Sequence, residues 1–228
     1  MPRWGGEVPV RFAPWQHVLF RFVRGVVGGF CRLFWRVRIR GLEHIPAEGP
    51  FILSPIHRSN VDTPLVALMG RRPVRFMGKD SMWKLGASDW FFTSMGGIPV
   101  HRGVPDRAAM KSCDEVLSDG QPMVIFPEGT RKSGPVVEEI YEGPAYLAAK
   151  HQVPIIPVGI GGSEGAMPKG AKMIKPVKIS IVVGERLDPP APTASGRVGR
   201  QGVKALSGEL RQRLQRLLDE AQAEAGQR

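Results

Sequence analysis

From residue 41 onward, short apolar runs alternate with helix-like stretches, and this alternation limits the possible folds more than any other feature. Phe51-Ile-Leu-Ser54, Val74-Arg-Phe-Met77, Ile98-Pro-Val100, Met123-Val-Ile-Phe126, Ile155-Ile-Pro-Val-Gly-Ile160 and Val177-Lys-Ile-Ser-Ile-Val-Val183 read as strands. Between them, Asp62–Met69 opens with a capping residue and an early proline, both marks of a helix start. Residues 80–95 mix helix and loop, Pro105–Ser118 reads as a helix, and 138–151 as a helix with an irregularity at Pro144. Residues 188–200 are rich in Pro, Ala, Ser and Gly and read as a linker. A last helix carries Leu206, Leu210, Leu214, Leu217 and Leu218 on one face. The pattern predicts an α/β fold, a mixed and largely parallel sheet flanked by helices. In such sheets, sites form in the loops beyond strand ends. His57 and Glu128 both follow predicted strands, so they are placed to meet there.

A chain of 228 residues with 42% hydrophobic and 23% charged side chains has enough apolar surface for a real core and is not disordered. The formal net charge of +11 points to polyanionic partners: nucleic acid, an anionic membrane, or phosphorylated and CoA-like substrates. No helix-turn-helix, zinc or RNA-recognition signature supports nucleic acid. The two cysteines, Cys31 and Cys113, form neither a disulfide framework nor a metal-ligand spacing, and both read as packed thiols in a reducing setting.

The segment 14–37 is basic, apolar and aromatic, but its longest charge-free stretch falls far short of the ~20 residues of a spanning helix. It also lacks the layout of a signal peptide, because Arg interrupts each apolar run. Placed on a helix at about 100° per residue, Arg21, Arg24, Arg32 and Arg36 share roughly one third of the circumference. Leu19, Phe22, Val23, Val26, Val27, Phe30, Leu33 and Phe34 fill the opposite side. Such a helix either lies in the plane of a membrane or docks on the protein's own core, and both hold if only part of the apolar side is covered. The pair Gly28–Gly29 is a candidate break into two shorter helices.

Two polar clusters carry the chemistry. In Ser54-Pro-Ile-His-Arg-Ser-Asn-Val-Asp-Thr-Pro64, a histidine stands five positions before an aspartate at a predicted strand end. An imidazole beside a carboxylate deprotonates a hydroxyl near neutral pH, with the carboxylate fixing the tautomer and stabilising the imidazolium. The second cluster is Phe126-Pro-Glu-Gly-Thr-Arg131. Arg131, like Arg102 in Gly96-Gly-Ile-Pro-Val-His-Arg-Gly103, suits bidentate contact with phosphate. Gly129 permits close backbone approach to a ligand, and the Thr130 hydroxyl donates to an anion. Glu128 is suited to accept from a substrate hydroxyl or to orient an arginine.

Together with Val153-Pro-Ile-Ile-Pro157, these segments resemble the four blocks of the 1-acyl-sn-glycerol-3-phosphate acyltransferases, the glycerolipid acyltransferase family with a His-x4-Asp motif. The first block matches at His57 and Asp62, the second through Arg102, and the third in full from Phe126 to Arg131, over roughly residues 40–185. Ile56 stands where many members have Asn, and His101 precedes Arg102 where an acidic or amide residue is frequent. Two parts are expected: a membrane-associated helical segment over 1–40, from its amphipathic pattern, and an acyltransferase catalytic domain over 41–228, from the resemblance. It also implies transfer of a fatty acyl group from acyl-CoA or acyl-carrier protein to the free hydroxyl of lysophosphatidic acid, giving phosphatidic acid in phospholipid biosynthesis. His57 is then the general base, oriented by Asp62, and Arg102, Glu128, Gly129, Thr130 and Arg131 bind the acceptor phosphate. No metal or redox cofactor is called for, and the expected place is peripheral, on an anionic, cytoplasmic membrane face. Glycerol 3-phosphate or another lysophospholipid as acceptor, and a non-catalytic lipid-binding role, stay open as alternatives. So does a covalent route through Ser59, although direct transfer needs fewer parts. Oligomeric state is not legible.

Overall fold

Runs that are apolar at every position end up in the middle of the sheet, where both faces are covered. The computed structural model of the chain describes residues 11–70, 72–84, 86–100, 107–192 and 199–226. Its strands are β1 (Arg38–Arg40), β2 (Ile52–Pro55), β3 (Arg75–Lys79), β4 (Gly97–Val100), β5 (Met123–Val124), β6 (Ile155–Gly161) and β7 (Ser180–Val183). The α-helices are α1 (Pro14–Phe34), α2 (Asp62–Ala67), α3 (Gly86–Ser94), α4 (Arg107–Ser118), α5 (Gly143–His151), α6 (Ser163–Ala166) and α7 (Arg200–Ala225). The sheet order is β1-β7-β6-β2-β5-β3-β4. All neighbours are parallel except β6 and β7. This is the mixed, largely parallel α/β architecture that the alternation predicts.

Every residue of β2 and β6 is buried. Helix α7 lies directly on β6, because Gly159 and Gly161 present no side chain. A Cβ at those positions would stand 2.1 and 2.2 Å from the carbonyl oxygens of Leu217 and Ala221. Leu206, Leu210, Leu214, Leu217 and Leu218 of α7 all face inward, as their spacing predicts. Pro144 starts α5 rather than disturbing it, since a proline in the first turn lacks only a donor that has no helical acceptor.

Helix α1 runs unbroken through Gly28 and Gly29, so the expected break does not occur. Gly28 is the close-packing point: a Cβ there would meet the Leu68 side chain at 3.3 Å. Helix α1 buries one face and exposes another. Phe20, Cys31 and the following Trp35 are buried, and Cys31 and Trp35 join the sheet's own core. Phe22 is 67% exposed and Leu33 85%, and Trp15, Val18, Val26 and Phe30 are exposed along the same stripe. Trp15 stacks on Trp90 of α3, with ring centroids 6.2 Å apart, which carries the stripe onto exposed Trp90 and Phe91. Among the described residues, no helix is long and apolar enough to cross a membrane.

Candidate active site

Parallel pairing of the adjacent strands β2 and β5 sends the loops that follow them out at the same edge of the sheet. The β2 loop delivers His57 and Asp62, and the β5 loop delivers residues 126–131. His57 Nδ1 lies 3.0 Å from Asp62 Oδ2. The same oxygen accepts from the main-chain N–H groups of Arg58 and Ser59, both at 2.7 Å. Asp62 is thus turned back into the loop it follows. No side-chain cap bond closes the N-terminus of α2, contrary to the capping role that its position suggests. Its second oxygen, Oδ1, is buried without a protein partner. Three donors on one oxygen fix the carboxylate, and the carboxylate fixes the imidazole. With Nδ1 directed at Asp62, Nε2 is the ring nitrogen left for a substrate. The ring also stacks on Phe126, centroids 4.2 Å apart.

His57 opens on a cavity of about 630 Å³, within the range of small-molecule sites. Its walls are chiefly apolar: Val23 and Val27 from the inner face of α1, Val66 from α2, Phe76 from β3, Phe92 from α3, and Phe126. Arg131 shares this cavity with His57. Two of the residues singled out in the sequence, His57 and Arg131, therefore face one common space. Arg102 lies outside the described residues. Among the described residues, no group of three or more His, Cys, Asp or Glu side chains is placed to hold a metal ion.

Of the remaining third-block residues, Glu128 does pair with an arginine, one of the two roles expected of it, but the arginine is Arg58 and the carboxylate is turned inward. Its Oε2 accepts the main-chain N–H of His57 at 2.7 Å and its Oε1 meets Arg58 Nη1 at 2.6 Å. The side chain is fully buried, and a carboxylate in the cavity would in any case repel an anion. Gly129 has φ +66°, and a Cβ there would meet the Tyr141 ring at 2.5 Å, so glycine answers to the turn and to Tyr141 rather than to a ligand. The N–H groups of Gly129 and Thr130 donate within the turn, to Phe126 O at 3.1 Å and Glu128 O at 2.7 Å. Of the block, the exposed Thr130 and the cavity-lining Arg131 remain available to a phosphate. The Ser59 hydroxyl is buried and donates to Met167 O at 2.8 Å, away from the cavity lining, which removes the support for a covalent route.

The sequence reading overlooked Arg58. It is 2% exposed and spends its guanidinium on Glu128 and on the carbonyls of His57, Gly134 and Val136. The only local signal is its place beside a base and opposite a block that contains a glutamate.

The largely parallel α/β scaffold thus sets a buried His–Asp pair at its strand ends, opening on a chiefly apolar cavity that Arg24, Lys79 and Arg131 also line. The family model describing acyltransferases matches residues 36–161, and the chain belongs to that family. A 1-acyl-sn-glycerol-3-phosphate acyltransferase of Chlamydomonas reinhardtii is 29% identical over 161 residues, 68% of this chain and 48% of its own length. One of Pseudomonas aeruginosa is 29% identical over 217 residues, 94% of this chain and 75% of its own. Among solved structures, the 1-acyl-sn-glycerophosphate acyltransferase PlsC of Thermotoga maritima matches with a TM-score of 0.74 and 26% identity, over 89% of this chain and 79% of that one. The chain spans less than half of the algal relative's length.

Proposed function

We propose that this protein transfers a fatty acyl group from a thioester donor, acyl-CoA or acyl-carrier protein, to the free hydroxyl of a 1-acyl-glycerol 3-phosphate, forming phosphatidic acid. The observation that carries the reading is the shared cavity: His57, held by Asp62, faces the same apolar space as Arg131. The acceptor hydroxyl gives its proton to His57 Nε2 as its oxygen attacks the thioester carbonyl. The tetrahedral oxyanion collapses, the C–S bond breaks, and the leaving thiolate takes the proton from the imidazolium. One ester replaces one thioester, and His57 is regenerated. Arg131, with the Thr130 hydroxyl and Arg102, holds the acceptor phosphate. The cavity walls take an acyl chain, and no metal or redox group is asked for.

Both substrate and product are lipids, so the site works at a bilayer. The exposed stripe of α1, with Trp90 and Phe91, inserts into the apolar layer, and Arg21, Arg32 and Arg36 beside it meet anionic headgroups. Residues 1–40 therefore serve the membrane with one face while the inner face of α1 completes the cavity of the catalytic part, 41–228. The enzyme works peripherally, on the cytoplasmic membrane face.

The test is product analysis by thin-layer chromatography. The full chain is given labelled acyl-CoA or acyl-carrier protein, with lysophosphatidic acid, glycerol 3-phosphate or lysophosphatidylcholine as acceptor. Phosphatidic acid formed from lysophosphatidic acid supports the reading. Acylation of glycerol 3-phosphate alone would move the acceptor, and no acylation of any acceptor would sink the enzymatic reading in favour of lipid binding.

A further inference from the structure

We propose that Arg58 is a positioning residue of the acyl transfer: paired with Glu128, it locks the main chain of His57 to the segment that carries Arg131. This rests on the acyltransferase reading and adds to it a device that sets base and phosphate-holding arginine relative to each other.

The His57 main chain is held on both sides by the β5 loop. Its N–H donates to Glu128 Oε2 at 2.7 Å, and its carbonyl accepts from the N–H of Lys132 at 2.9 Å and from Arg58 Nη1 at 3.3 Å. Arg58 then closes the frame. Nη1 meets Glu128 Oε1 at 2.6 Å, while Nε and Nη2 donate to the carbonyls of Gly134 and Val136, each at 3.1 Å. Those carbonyls belong to a stretch that is itself anchored on α7. Gln215 accepts from the Val137 N–H at 2.7 Å and donates to Pro135 O at 2.9 Å, and Arg211 Nε donates to Val137 O at 3.2 Å. Arg131 lies in this loop between Glu128 and Gly134. One guanidinium therefore spans the loops of both polar clusters.

The energetics favour a geometric role over a stabilising one. A buried ion pair gains little over a well-packed apolar pair, because desolvation offsets most of its attraction. What an Arg–Glu pair supplies is direction: a planar fork with donors at fixed angles. Lysine would keep the charge but, as a point donor, could not hold Glu128 and two separate carbonyls together. General-base catalysis is sensitive to that loss, since a misplacement of about 1 Å lowers a rate by roughly 10²-fold.

The experiment compares Arg58→Lys and the neutral double variant Arg58→Gln/Glu128→Gln with the wild-type chain. The readouts are Tm, kcat, KM for each substrate, and ¹⁵N NMR of the histidine ring nitrogens, with His57 assigned by its loss in His57→Asn. Both variants are expected to fold, to keep the acyl-CoA KM, to lose roughly 10- to 100-fold in kcat, and to shift the His57 ring resonances. The double variant, which removes both buried charges together, is expected to keep a Tm near wild type but not its kcat. A kcat restored in step with Tm assigns the pair to folding alone and overturns the proposal, as does a folded Arg58→Lys protein with wild-type kcat and unmoved His57 resonances. If the wild-type chain transfers no acyl group, the functional reading fails, whereas the NMR shift still decides whether Arg58 positions His57.

Discussion

Asp62→Asn is the substitution whose outcome the geometry constrains most tightly. Asp62 Oδ2 accepts from His57 Nδ1 at 3.0 Å and from two main-chain N–H groups at 2.7 Å, while Oδ1 is buried without a protein partner. An asparagine has two orientations here. With its oxygen in place of Oδ2 it keeps all three bonds, and its NH2 occupies the position of Oδ1. Reversed, the NH2 faces three donors and forfeits bonds that contribute about 1 kcal/mol each. The first orientation wins. His57 then keeps its tautomer and its ring plane, and only the charge behind it is lost.

That loss falls on the transition state, where the imidazolium forms. A hydrogen bond to a charged group contributes about 1.5–3 kcal/mol against about 0.5–1.5 for a neutral one, and the screened charge adds to the difference in a site with little water. A total near 2–3 kcal/mol corresponds to a kcat lower by roughly 30- to 200-fold. Losing the charge also weakens the two main-chain bonds to Oδ2, which lowers folding stability by about 1–3 kcal/mol, a fall in Tm of roughly 3–10 °C for a domain of this size. Initial rates of thiol release from acyl-CoA at saturating acceptor, with melts followed by circular dichroism, measure both. A kcat within about threefold of wild type, under 1 kcal/mol, would refute the pairing of Asp62 with a reacting imidazole. A loss of about 10⁴-fold would instead indicate the wrong tautomer and refute the orientation argument.

Replacing Arg131 by Ala should raise the KM for the phosphorylated acceptor while leaving the acyl-CoA KM near wild type, and Lys should restore only part of it because it lacks the bidentate fork; steady-state kinetics with each substrate varied decide this. Phe22→Ser with Val26→Ser and Leu33→Ser, all at exposed positions of α1, should weaken vesicle binding by roughly 10²-fold, taking about 1 kcal/mol for each partly inserted side chain, without changing Tm. Replacing Arg21, Arg32 and Arg36 by Gln should remove mainly the salt-sensitive part of binding, and co-sedimentation with anionic vesicles across a salt series separates the two. Asp114 is hydrogen-bonded by Lys150 and then by His151, which holds its carboxyl below the ordinary range. A carboxyl depressed in the folded state adds stability above its unfolded pKa and loses it as pH falls through the folded value. Asp114→Asn should thus lower Tm near pH 7 by the equivalent of under about 1 kcal/mol, since the pair is partly solvated, and the gap should close below about pH 4.

How far the fold was legible depended on where each segment sits. β2 and β6 are buried throughout because both their faces are covered, and apart from Ser54 they carry no polar side chain, so they are readable for that reason. β1, Arg-Ile-Arg, is an edge strand with exposed ends, so nothing in its composition separates it from a loop. It forms because β7 offers a parallel partner, a long-range fact. The expected strand from Met123 shortens to Met123–Val124, yet Ile125 N still donates to Leu53 O at 3.0 Å. The chain there is already leaving the sheet toward Pro127. Helix α1 shows the limit of periodicity. Its amphipathic pattern correctly predicts a helix, but the face that packs, with Phe20 and Cys31, lies off the apolar arc that the pattern marks, and Phe22 and Leu33 on that arc are exposed.

The site divides along the same line. His57 and Asp62 are five residues apart in one loop, so local geometry alone brings them together, and sequence spacing suffices to name them. Glu128 lies 71 residues from His57, and its role depends on which way its side chain turns. A glutamate beside a glycine and an arginine reads as part of an anion site, because that composition suits phosphate. The fold turns it inward because the adjacent parallel strands set its loop against the loop after β2, where the His57 N–H and the Arg58 guanidinium are both shut off from solvent, and buried donors need acceptors. A carboxylate there satisfies both. The cavity side of the block thus contracts to Arg131, with Thr130 exposed beside it, while Glu128 accepts from the His57 main chain and pairs with Arg58. Sequence spacing identifies groups that pair within one loop, whereas groups that hold two loops in register become visible only when the sheet has set those loops side by side.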